Sequence, residues 1–219
     1  AQLDMAQICG FGKVQDEYVC IGEAENGGYI RLTGEKPDGD FRQEELKLDS
    51  VMDETDMITA ADMDEAGSLY LAVSKMDDKR DITGRIVKVM PDDTVQILAD
   101  HIEENVKNIR LMADGYIIGC ADGVIQCFSM EGQKKYEIEN SDYTDICVAG
   151  DKLVVLTARD IETYDISDGH MLETITSFDD TLTEGLEDAA SEKGKDALSC
   201  SNIMKYDEKS DQIYICLER

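Results

Sequence analysis

The stretch ADGYIIGCADGVIQCFSMEGQKKYEIEN, residues 113–140, reads as three strands separated by two tight turns. Its first run, GYIIGCA, is almost continuously apolar, as in a strand buried on both faces. Asp122-Gly123 and Glu131-Gly132 then interrupt the pattern; glycine accepts positive φ and aspartate tolerates it, so each pair predicts a hairpin. VKNIRLMA, residues 106–113, supplies a further strand ahead of the stretch. Residues 106–139 therefore predict a unit of four antiparallel strands.

The same phrase recurs along the chain. TDICVAG, KLVVLTA, DIETYDIS and MLETITSF fill residues 144–178. An earlier pair of copies aligns LDMAQICGFGKVQDEYVCIGEAENGGYIRLT (3–33) with TDMITAADMDEAGSLYLAVSKMDDKRDITGRIVKVM (55–90). Each of these is closed by a fourth strand, FRQEELKLD at 41–49 and TVQILAD at 94–100. The repeat spacing of roughly 35–50 residues is the period of propeller blades. The expectation is an all-β fold, a β-propeller in one domain spanning 1–219. Its blades fall at about 3–49, 55–100, 106–139 and 143–178, with a partial fifth at 200–219 and an acidic insertion at 179–199. The insertion has room for a short helix at 183–194, with Thr183 as its cap. The fifth blade, SNIMKYDEKSDQIYICLER, holds two strands, so the native chain is expected to run past Arg219 towards a total of six to eight blades.

Glycine-bearing turns at Asn26-Gly27-Gly28, Gly67, Gly115 and Gly169 punctuate the copies. A four-stranded sheet that is apolar on both faces cannot cover itself. Neighbours of the same shape must do so, which explains the repetition.

Two repeats carry a resemblance. GYIIGCADGVIQCFSMEGQKKYEIE (115–139) and DKLVVLTARDIETYDISDGHMLETI (151–175) resemble PQQ-type and WD40-like blades. ADMDEAGSLYLAVS (61–74) is similar to the phrase of NHL and gluconolactonase-like propellers. The chain has no Trp, so the closing Trp of the PQQ repeat and the Trp-Asp pair of true WD40 repeats are both missing. SDQIYICLER (210–219) is similar in style to blades attached to solute-binding lipoproteins of anaerobic Firmicutes. That resemblance implies a membrane-anchored parent protein on a bacterial surface; an intracellular, cytoplasmic adaptor is the alternative.

Composition narrows the partners. Forty-nine acidic residues stand against 21 basic ones, a net charge of −28. Such a field repels nucleic acid and anionic membranes and favours cations or basic partners. No apolar run is long enough to span a bilayer as a helix. The 7 cysteines are odd in number, form no C-x-x-C pair and sit mostly at apolar strand positions, as small hydrophobes do.

Candidate sites are few. Clustered carboxylates suit calcium, and Asp62 and Asp64 in DMDE are the favoured pair, although no EF-hand spacing occurs. Calcium is the one cofactor this pattern admits. A gluconolactonase-like centre would instead draw on polar residues near strand ends, namely Glu23, Asn108, Asp145 and Asn202. Asn108, Asp145 and Asn202 occupy matching places in KNI, TDI and SNI, and are candidates to line the propeller axis. The leading reading makes them structural, tying one first strand to the next blade by hydrogen bonds. His101 and His170, both expected in turns, are too far apart in the repeat for a triad, and no nucleophile elbow or phosphate loop occurs. The sequence is thus read as a non-enzymatic binding or scaffold module that takes a protein or small ligand at one mouth. A calcium-dependent or PQQ-like enzyme is the alternative.

Overall fold

The structure is a computed structural model that describes residues 5–25, 27–36, 39–77, 81–157, 160–175, 203–207, 210 and 212–216. Every described element is a strand. The first sheet comprises β1 (Met5–Val14), β2 (Glu17–Ala24), β3 (Tyr29–Gly34) and β4 (Arg42–Glu45). The second comprises β5 (Asp56–Met63), β6 (Leu69–Met76), β7 (Ile82–Val89) and β8 (Val95–Ile102). The third holds β9 (Val106–Met112), β10 (Gly115–Cys120), β11 (Val124–Ser129) and β12 (Lys134–Glu139). The fourth holds β13 (Tyr143–Ala149), β14 (Lys152–Thr157), β15 (Ile161–Asp165) and β16 (Met171–Ile175). A two-stranded sheet follows, β17 (Ile203–Asp207) with β18 (Gln212–Cys216). Four complete four-stranded antiparallel blades and part of a fifth are what the repeats predict. The insertion at 179–199, with its expected helix, lies outside the described residues. No helix among the described residues is long and apolar enough to cross a membrane.

Contacts divide the chain into two compact units, 1–122 with 128–133 and 123–127 with 134–219. In the first unit, strand β6 shows why the sequence runs apolar without a break. Leu69, Leu71 and Val73 project from one face into a core shared with Val19, Ile21, Leu46 and Leu48. Tyr70 and Ala72 project from the other face into a core shared with Val106, Ile109, Tyr116 and Ile118. Both faces are buried, and each large aliphatic side chain so covered contributes about 1.5–3 kcal/mol. The Tyr116 and Phe128 rings stack at 5.2 Å in the second core. In the second unit, Cys147, Val154, Leu156 and Met204 form the corresponding layer between the fourth and fifth sheets.

The outer strands differ in the way that edges require. All four residues of β4, Arg-Gln-Glu-Glu, are exposed, and β12 is polar apart from Tyr136 and buried Ile138. Charge along an outer strand discourages pairing with other chains. Between the first two blades, Asp56 is buried and accepts hydrogen bonds from the Asp53 N–H (3.0 Å) and Arg85 Nη2 (3.2 Å). Arg85 Nη1 donates to the Val51 carbonyl at 2.7 Å, so this ion pair pins the inter-blade loop to the second sheet.

Most of the turn glycines behave as their sequence suggests; Gly115 instead opens strand β10 without a positive φ. Gly27, Gly67, Gly123, Gly132 and Gly169 all have positive φ. Gly132 carries a second constraint, because a Cβ there would lie 1.7 Å from the Leu98 carbonyl oxygen of β8. At Gly27 a Cβ would meet nothing within 4 Å. Gly27→Ala is therefore expected to cost only the conformational penalty of about 1–2 kcal/mol. Gly132→Ala should cost clearly more in denaturant unfolding, because backbone must also move; equal losses would contradict the close approach of this turn to β8.

Candidate functional site

The polar residues of the first strands are where the sequence placed an axial site, and their local geometry explains what they do. Each first strand of a complete blade carries a β-bulge. The skipped residue is Cys9 in β1, where Ala6 is skipped as well, Thr59 in β5, Lys107 in β9 and Thr144 in β13. A bulge leaves one residue outside the ladder and re-aims its side chain. Cys9 Sγ lies 3.2 Å from the Ile58 carbonyl, and Thr59 Oγ1 donates to the Val106 carbonyl at 2.5 Å. Ile58 and Val106 each directly precede the bulged residue of their own strand. The two contacts are thus the same device, one blade apart. One residue past the Cys9 bulge, Gly10 lets the backbones close up, since a Cβ there would stand 2.5 Å from the Ala61 carbonyl oxygen.

Carboxylates on the first strands serve the same end. Asp62 accepts from its neighbour Met63 N–H (2.9 Å) and from Leu111 N–H of β9 (2.9 Å). Asp145, fully buried, accepts from Ile146 N–H (2.8 Å) and from Met204 N–H of β17. Each therefore bridges one amide on its own strand and one on the next blade's first strand. Asp145 occupies the position immediately after a bulge, and so does Asn108, which is buried opposite Gly119. The matching of KNI with TDI is thus real at the level of backbone register. Asn202 lies outside the described residues. Glu23 lies on second strand β2, opposite Tyr29 and Gln7.

Asp64 lies beyond the end of β5 and caps the turn to β6. It accepts from Ser68 N–H (2.8 Å) and lies 3.7 Å from Lys88 Nζ. Lys88 in turn donates to Tyr70 Oη (2.7 Å) and stands 4.8 Å over the Tyr70 ring. That hydrogen bond, with Asp64 adding to it, raises the lysine's pKa.

One grouping escaped the sequence reading. Asp165, Asp168 and His170, in the turn from β15 to β16, bring ligand-type atoms within 4.8 Å of one another. Hydrogen bonds from Ser167 hold Asp165 below the usual carboxylate range, and those from His170 do the same for Asp168. Their oxygens are engaged in closing the turn. His101, by contrast, falls within β8 at φ 58° and not in a turn.

A second feature lies at the end of the second blade. Met57 opposes Ser74, and Met76 opposes Ile82, so all four share one face of the sheet. Further along that face Ala72 and Ile86 are packed in the core. A hydrogen bond from Ser74 Oγ to Asn105 (2.9 Å) marks where the packed layer ends. Beyond it Met57 and Met76 are 56% and 57% exposed. A groove of about 400 Å³ opens at Ile82, the cross-strand neighbour of Met76, and is lined by Asp81, Ile82, Thr83, Glu103 and Glu104.

Burial favours the protonated form of two thiols. Burial, with Glu23 and Cys20 adding to it, pushes Cys9 up to about 11. Burial, with Asp122 and Glu104 adding to it, pushes Cys120 up to about 12. Both stay protonated in the fold, whereas in the unfolded chain they ionise near 9.0. Their stabilising contribution is complete below pH 9 and is lost as pH rises through 11 to 12. Denaturant midpoints should fall over that range, and Cys120→Ala should flatten the fall. An unchanged slope in the variant would contradict the assignment.

No protein-family model and no curated protein matches the sequence. Solved structures do. A gluconolactonase of Xanthomonas campestris aligns at 12% identity and a TM-score of 0.62, over 96% of this chain and 69% of its own. A chain of a nidogen/laminin complex aligns at 14% and 0.59, over 80% of this chain and 65% of its own. The β-propeller domain of Cps50 (Swd1) from Myceliophteria thermophila aligns at 10% and 0.54, over 74% and 56%. The chain thus spans about two thirds or less of the latter two. Likeness at these identities establishes the β-propeller fold.

Proposed function

We propose that this chain is a non-catalytic, protein-binding propeller module of a larger bacterial surface protein. The observation that carries the reading is the fate of the first-strand carboxylates. Asp62 and Asp145 each use both oxygens on backbone amides, and each holds one blade to the next. A lactonase-type centre needs carboxylates turned towards a shared ion. Asp145, one of the four residues that would serve it, is committed to structure instead, and Asp62, the favoured calcium candidate, is committed in the same way. Two of the aligned structures, a nidogen/laminin complex and a mitotic checkpoint complex, are assemblies of proteins, which supports a partner of the same kind. The surface assignment rests on the repeat style of 210–219.

A photo-crosslinking amino acid at Glu103 tests the reading in cells. Discrete adducts with another polypeptide are expected there, and none from the same group at Gln96 on outer strand β8. Absence of an adduct at 103, or equal labelling from both sites, would overturn it.

A further inference from the structure

We infer that the end of the second blade receives a basic, amphipathic segment of the partner, an inference that rests on the protein-binding reading above. Three observations define the occupant. First, Met57, Met76 and Ile82 form an apolar strip across β5, β6 and β7, because Met57–Ser74 and Met76–Ile82 are cross-strand neighbours on one face. Diagonal neighbours in a sheet lie about 7–8 Å apart, close enough for long side chains to form one surface. Methionine is flexible and polarizable, and so adapts to irregular apolar side chains.

Second, the strip is rimmed by negative charge. Asp81, Glu103 and Glu104 line the adjoining groove. Third, the molecule as a whole carries −28, so the same field draws a cationic segment in and repels an acidic one. An apolar centre with an acidic rim is complementary to a segment that alternates Leu-type side chains with Lys or Arg.

The dimensions agree. A groove of about 400 Å³ admits a few side chains and not a folded domain, so the occupant is a short segment. The packed layer ends at the Ser74–Asn105 bond, and the strip beyond it is open to solvent without any rearrangement.

Three synthetic peptides of equal length distinguish the chemistry when titrated against the full chain by fluorescence anisotropy. One alternates Lys and Leu, one alternates Glu and Leu, and one replaces each Leu of the first by Ser. The Lys-Leu peptide is expected to bind, and to weaken as salt rises from about 50 to 500 mM because the rim charges become screened. The Glu-Leu peptide should not bind, and the Lys-Ser peptide should bind at least about tenfold more weakly. Met57→Gln with Met76→Gln, and separately Asp81→Asn with Glu103→Gln, should each weaken the Lys-Leu peptide by a similar factor. All four positions are exposed, and an unchanged circular dichroism spectrum confirms the fold. Equal binding of the Lys-Leu and Lys-Ser peptides, no binding of either, or indifference to both double variants overturns the inference. If adducts still form at Glu103 in cells when the Lys-Leu peptide fails, the partner's chemistry is wrong and the protein-binding reading stands; loss of the adducts removes the reading itself.

Discussion

A four-stranded sheet whose central strands are apolar on both sides has to be covered on both sides, and everything else in this molecule follows from that. Strand β6 divides its side chains between two cores, Leu69, Leu71 and Val73 to one and Tyr70 and Ala72 to the other. No single blade satisfies the requirement alone. Burial favours close approach but is non-directional, so it does not by itself set how successive first strands align. The alignment comes from polar contacts. A bulged side chain reaches the carbonyl ahead of the next bulge, and a carboxylate takes an amide from the neighbouring first strand. Each replaces a hydrogen bond to water, and loss of the fully buried one at Asp145 would leave buried groups unsatisfied, at a cost of about 1–3 kcal/mol.

The arrangement also separates roles along the strands. On the first strands, Cys9, Thr59, Asp62 and Asp145 are engaged in contacts between blades. Groups at the ends, beyond the Ser74–Asn105 bond, face solvent. On the proposed reading, recognition falls to the ends, at the methionine strip and the acidic groove. The same net charge that keeps the surface hydrated narrows the kind of partner that approaches it.

The blades were legible in the sequence because two local signals agree. Continuous apolar runs such as GYIIGC and LVVL mark strands buried on both faces, and glycine after Asp or Glu marks the turns between them. KNI and TDI also pointed to equivalent places, and Asn108 and Asp145 do follow corresponding bulges. The bulges themselves left no mark. Their residues are Cys, Thr, Lys and Thr, and at Cys9 and Thr59 the partner is a backbone carbonyl, which has no sequence signature. Asp62 is a calcium candidate in the sequence for a similar reason, since an aspartate that accepts amides looks the same there as one that holds calcium. The methionine strip was missed because Met57, Met76 and Ile82 lie on three strands, and only the register brings them onto one face.

The amide hydrogen of Leu111 tests the central claim most directly. It sits on the side of first strand β9 away from β10, and its acceptor is Asp62 on the preceding blade. Measured by NMR hydrogen exchange, it is expected to be strongly protected, and to exchange far faster in Asp62→Ala while the amides paired between β9 and β10 keep their protection. Exchange of Leu111 at the rate of an unstructured chain in the unaltered protein would contradict the account.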